Sequence, residues 1–257
     1  MPKAVVTGNC KLCQQSHPLL RSHVLPEFLY KDSGVYDLRH RFVNVPKLGS
    51  SEKPKMEQQG LRERLLCKSC EGHLSKFENY AKRVVTDMQA SSVPTHTSAP
   101  TPADATVISG VDYIKFKLFL MSLVWRAGVA CGEMWEAVNL GPHEEKLRKM
   151  ILAEDPGKPA EYGWLIVRRS DVPQPFKKGL IAPMRLRSAG GHNCYFFVFA
   201  GMGWRVWVSG HTSQLPSRLP FLTPAGDLSI FPDFDDLLLE WTNQALKMAQ
   251  NQKKLHP

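Results

Sequence analysis

Two short turns carry the clearest chemistry in the chain: Cys10-Lys-Leu-Cys13 and Cys67-Lys-Ser-Cys70, with 53 residues between Cys13 and Cys67. A Cys-x-x-Cys turn presents two thiolates to one side of an ion, and zinc takes four soft ligands in a tetrahedron. Two such turns therefore predict a closed, structural zinc site built from Cys10, Cys13, Cys67 and Cys70. Metal binding of this kind supplies folding free energy of order 10 kcal/mol, which suits a polar segment with little apolar surface to bury. The competing readings are a redox Cys-x-x-Cys or two unrelated pairs. A redox centre needs only one pair within a thioredoxin-like unit. Cys131 and Cys194 lie in apolar stretches and are expected to be small core residues.

Two further groups sit close to these turns. "RSHVLPEFLYK", residues 21–31, places His23 between the pairs, and "CEGHLSKFENYAKR", residues 70–83, starts a helix at the second pair. On that helix Glu71, Ser75 and Glu78 share one face at i, i+4 and i+7. His73 points roughly 200° away from Glu71, so one ion would not take both. Arg62, Arg64, Lys68, Lys76, Lys82 and Arg83 surround the second pair. They would contact phosphates, or form an ordinary solvated face. Glu71 and Glu78 equally suit a solvated helix N-terminus, where the dipole favours acids. His23 equally suits a tight turn, bonded to a carbonyl or packed behind a zinc-bound cysteine.

A first Cys pair, "SHVLP" about ten residues later, and a second Cys pair opening a helix occur in that order. Over residues 10 to about 83 the chain resembles the zinc-containing HNH (His-Me finger) endonucleases. The resemblance implies a ββα-metal lobe in which His23 is the general base. It also implies Mg²⁺ or Mn²⁺ held from the helix, with Glu71, and His73 as the alternative, in the catalytic position. The substrate implied is nucleic acid, DNA above all, held through its backbone by Arg62, Arg64, Lys68 and Lys76. Two departures stand out. Ser22 occupies the place where the family often has a metal-binding acid, and "GLRERLL" lacks the family's middle Asn. A non-catalytic module binding nucleic acid or protein is the rival implication. The downstream part resembles that of bacterial proteins carrying the same motif, which implies no particular activity.

The elements that must position these groups divide into three stretches. Residues 1–88 are the zinc-binding lobe. Residues 89–107, rich in Ser, Thr, Pro and Ala, read as a linker or long loop. Residues 108–257 read as an α+β domain of helices and antiparallel sheet. A long helix is expected over "YIKFKLFLMSLVWRAGVACGEMWEAV", capped by Asp112, and another over 142–154. "YGWLIVRRS" reads as a strand, and "NCYFFVFAGMGWRVWVSG" as a hairpin turning at Ala200 to Gly203. Its Tyr195, Phe197 and Phe199 alternate with Phe196 and Val198, so a strand buried on both faces is expected. Trp204 and Trp207 follow as core residues or as a base-stacking platform. A last helix is expected from Asp233 to Asn251. A ligand pocket in this domain is a third functional possibility, with no motif behind it.

The 257 residues include 43% hydrophobic and 22% charged, as in ordinary globular chains. The longest apolar run, "LFLMSLVW", is too short to span a bilayer. No export signal is visible, so a cytoplasmic location without membrane attachment is expected. Of a net charge of +9, residues 1–88 carry 15 Lys and Arg against 9 Asp and Glu. The positive excess is concentrated where a polyanion would bind. A protein partner or a homodimer is compatible with all of this.

Overall fold

The computed structural model describes residues 5–31, 36, 41–44, 53, 55–58, 60–90, 105–168, 181–187, 193–208 and 222–232. The architecture is mixed α+β. The N-terminal part begins with β1 (Thr7–Asn9) and β2 (Ser16–His23), followed by the short helix α1 (Glu27–Lys31). A separate two-stranded ribbon follows, β3 (Arg41–Asn44) with β4 (Lys55–Gln58). Then β5 (Arg62–Cys67) returns to pair antiparallel with β2, completing a three-stranded sheet in the order β1-β2-β5. Helix α2 (Lys68–Ala90) starts where β5 stops.

The remainder holds β6 (Thr106–Ile108), α3 (Tyr113–Val129), α4 (His143–Ala153), and strands β7 (Trp164–Arg168), β8 (Ile181–Arg187), β9 (Asn193–Phe199), β10 (Met202–Val208) and β11 (Leu228–Pro232). The last five strands and β6 form one sheet in the order β6-β11-β7-β10-β9-β8. It is not the wholly antiparallel sheet that the sequence suggests. β11 runs parallel to β7, with Ile230 opposite Ile166. The chain leaves β7, builds β8, β9 and β10 on one side, and returns to the other side of β7. A return over that length is free to arrive in either direction, and no hairpin turn dictates it.

The β9–β10 hairpin forms as its sequence predicts. Ala200 and Gly201 both take left-handed backbone, φ 56° and 73°, and Phe199 sits opposite Met202. Two such residues make the turn whose twist matches antiparallel strands. Tyr195, Phe197 and Phe199 enter the main core, and Trp204 stacks on Phe199 with ring centroids 4.4 Å apart. On the other face Cys194, Leu165, Trp207 and Phe231 form a second, smaller cluster. Cys131, expected in the core, is exposed instead.

Helix α3 is apolar on nearly every side because it lies in the middle, against α2, α4 and the sheet. Asp112 caps it, accepting from Lys115 N at 3.0 Å. It ends at Val129, well short of the sequence expectation. The reason lies in β5: the Glu63 carboxylate accepts from Cys131 N at 2.7 Å and Gly132 N at 3.0 Å. Those amides turn out of the helix to reach it, and a short 3₁₀ turn, Glu133–Trp135, follows. The two charged residues bounding the apolar run, Lys117 and Arg126, are both buried.

One continuous core joins the two halves, with Leu66, Leu74, Phe77 and Ala81 in the same cluster as Leu123, Trp125 and Phe197. Of the linker stretch, α2 covers residues 89 and 90 and β6 begins at Thr106. Residues 91–104 and the C-terminal helix expected from Asp233 lie outside the described residues. Among the described residues no helix is long and apolar enough to cross a membrane.

Candidate metal centre and adjoining polar cluster

The first cysteine pair sits in the turn joining β1 to β2. Gln14 N donates to Cys10 O at 2.8 Å and Cys10 N to Gln15 O at 2.9 Å, with Gln14 in left-handed conformation at φ 59°. The second pair sits where β5 becomes α2. Strand pairing brings the two together, since Leu19 stands opposite Cys67 and Lys11 N donates to Leu65 O. All four sulfurs lie within 4.8 Å of one another, and Cys13 Sγ is 4.0 Å from Cys67 Sγ. Zn–S bonds of about 2.3 Å in a tetrahedron put sulfurs about 3.8 Å apart, so the spacing fits zinc.

The electrostatics fit as well. Burial raises the Cys13 and Cys70 thiols, and neighbouring thiols push Cys70 up further. Burial also works against Cys67, but hydrogen bonds from Ser69 and from the Cys70 amide win and bring it down to about 6. Thiols crowded into one place cannot all ionise without a cation among them. The Cys67 amide donates to Cys10 Sγ at 3.3 Å, a bond suited to a thiolate. Four-cysteine metal binding of the zinc-knuckle kind is what this arrangement supports.

Beyond the cysteines, β2 and β5 sort their residues by face. His23 and Arg62 are opposite one another, as are Arg21 and Arg64. Alternation puts all four on one side of the ribbon. Ser22, 3% exposed, points to the other side, towards α2. His23 Nε2 accepts from Arg62 Nε at 2.8 Å. A guanidinium only donates, so the ring is neutral at Nε2 and its proton lies on Nδ1. Arg62 is also 3.4 Å from Glu27. Gly60, at φ +66°, leaves room beside the ring: a Cβ there would stand 3.1 Å from His23 Cδ2 and 2.9 Å from the Tyr36 hydroxyl.

On the helix side of the ribbon a polar cluster is buried. Glu71 faces Ser22, and burial raises its carboxyl, partly countered by the Ser22 hydroxyl and the Arg126 guanidinium, while Glu78 raises it further. Glu71 Oε1 and Ser22 Oγ are buried without a well-aligned hydrogen-bond partner. Arg126 reaches in from α3, only 1% exposed. Its Nη1 is 2.7 Å from Glu78 Oε1, a close ion pair despite poor alignment for a hydrogen bond. The same nitrogen donates to the His23 carbonyl at 3.1 Å.

The structure places the other sequence-nominated residues elsewhere. His73 is on the opposite face of α2, where Nε2 lies 2.9 Å from the Ile151 carbonyl and the ring meets Phe77 edge-on. Lys76 pairs with Glu154. Arg64 donates to the Leu19 carbonyl at 3.2 Å and stays exposed, as does Lys68. Sequence reasoning missed Arg21, although its i, i+2 spacing from His23 on a strand was a usable signal. It also missed Arg126, whose one signal was an arginine inside an apolar helical run. Compared with known proteins, the chain matches no family model, no curated protein and no solved structure.

Proposed function

We propose that the chain is a metal-dependent endonuclease of the HNH kind, acting on DNA through a zinc-stabilised, treble-clef-like ββα lobe. The observation that carries the reading is the order of parts. His23 ends β2, β2 pairs with β5, the second cysteine pair closes β5, and Glu71 opens the helix against Ser22. His23 is the general base. Its Nε2 carries the lone pair that would take a proton from water. Arg62 occupies that lone pair, and a phosphate is the stronger acceptor for a guanidinium. Substrate binding would therefore draw Arg62 onto the backbone and free Nε2. Arg21, Arg64 and Lys68 add positive charge around that face for neighbouring phosphates. Glu71 lies on the helix side of the ribbon, across from the His23 ring, so a Mg²⁺ or Mn²⁺ ion that stabilised charge on the scissile phosphate would need ligands on the His23 face, and the buried, unmatched Glu71 oxygen does not supply one there.

One observation favours a second reading. Glu78 already has a cation in Arg126, and serine stands where the family's acid would, so the ion's ligand set is thin. A zinc-stabilised module that binds nucleic acid or a protein without cutting is consistent with that. The deciding experiment is cleavage of supercoiled plasmid with Mg²⁺ or Mn²⁺ by wild type and His23→Ala at matched zinc content. Cleavage lost in the variant supports the nuclease. Cleavage by neither, with zinc intact, supports the binding module.

A further inference from the structure

We propose that Arg126 is a positioning residue of the candidate site: a guanidinium supplied by α3 that fixes the end of β2 against α2 and so sets the direction of the His23 imidazole. The inference rests on His23 being the acting group of the proposed function. Its basis is the set of contacts around one buried side chain. Nη1 holds the His23 carbonyl and the Glu78 carboxylate at 3.1 and 2.7 Å. Nη2 meets Ser122 Oγ at 3.4 Å and Nε meets the Ser122 carbonyl at 3.3 Å, so the fork is anchored to its own helix. The guanidinium therefore has little freedom, and the strand end it holds has little either. A planar fork can serve a carbonyl and a carboxylate together. A lysine ammonium on a flexible stem can take the charge but not the geometry.

Position matters here because His23 is the last residue of β2, where ladder pairing stops. Beyond it the chain turns into "VLPEF", and Val24 N donates to Leu61 O at 3.2 Å. The carbonyl of His23 is thus the point at which the strand direction is decided. Arg126 is 103 positions away in sequence, in the half of the chain that carries no motif of its own. The site is incomplete without α3. Arg126 is too buried to touch a substrate, so it acts through His23.

The test uses the full zinc-loaded chain with ¹⁵N-labelled histidine rings, the His23 signal being assigned with His23→Gln. Two variants are compared with wild type: Arg126→Lys, and the neutral double Arg126→Gln/Glu78→Gln, which removes both members of the Arg126–Glu78 ion pair together. The expected result in both is a displaced or split His23 ring signal, with the His143 signal unmoved and the zinc content kept. An unchanged His23 signal in a folded, zinc-loaded variant overturns the proposal. Should the double variant not fold, Arg126→Lys decides alone. In plasmid cleavage kcat should fall on the order of tenfold or more with KM held, the pattern of a misaimed base. Wild type that cuts nothing would overturn the nuclease reading, and the ring spectra would still decide whether Arg126 aims His23.

Discussion

Around β2, β5 and α2 the interior sets thiols, carboxylate oxygens and a guanidinium among leucine, valine and phenylalanine; in the six-stranded sheet tryptophan, phenylalanine and tyrosine dominate. The physics of burial differs between the two. Aromatic burial is favourable in itself. A buried charge costs several kcal/mol unless a partner offsets it. The Glu71–Glu78–Arg126 group is thus a standing expense, and the thiols need a metal.

The largest test of that contrast is metal removal. Stripping zinc with a strong chelator should cost the β1-β2-β5 unit of order 10 kcal/mol. Hydrogen exchange should then show β2 and β5 amides unprotected while those of β9 and β10 exchange slowly. Equal loss in both regions would break the contrast. On the aromatic side, Trp204→Ala should cost about 3–5 kcal/mol by leaving a cavity against Phe199. Urea unfolding reads the loss, and zinc stoichiometry should not change.

Lys117 sharpens the contrast from within the second half, since it is a buried cation there, 3% exposed. Its ammonium contacts the Tyr113 hydroxyl and the carbonyls of Lys158 and Pro159. Burial lowers its pKa from 10.5 to about 7, opposed in part by Glu161 and Asp155. The unfolded chain therefore keeps this proton to higher pH than the folded one. Stability falls as pH drops from about 10.5 to 7, and stays lowered below 7. Lys117→Met removes the effect. Its advantage over wild type should be on the order of 4 kcal/mol larger at pH 6 than at pH 10.5, by urea midpoints at both. Gly60→Ala is the smallest change, about 1–2 kcal/mol from left-handed strain. Thermal melting should register it weakly, while the His23 ring signal should shift clearly, because the new methyl meets the imidazole.

Much of the metal site was legible because zinc ligation is written in local spacing, and strand pairing only had to bring two turns together. The β9–β10 hairpin was legible for a similar reason: alternation and a two-residue turn are local. The helical face rule also separated Glu71 from His73, whose ring the structure sends to Ile151. What stayed hidden was set at a distance. The end of α3 is dictated by Glu63, on another element, and the parallel β7–β11 pairing by the sheet's closure order. Arg126 looked like the boundary of an apolar run, since nothing local distinguishes a solvated arginine from one that meets Glu78. The isolated β3–β4 ribbon left no sequence signal strong enough to predict.

Helix α2 has a mechanical consequence. Its 23 residues span about 34 Å at 1.5 Å each. Its first turn carries Cys70, one of the four cysteines placed to hold a metal ion, and near its far end the Met88 carbonyl accepts from Arg168 on β7. The helix is a strut with the metal at one foot and the sheet at the other. A small tilt at the cysteines becomes a several-ångström swing at Met88 unless the Arg168 tether resists it. Metal occupancy would then be felt as tension at the sheet, far from any sulfur.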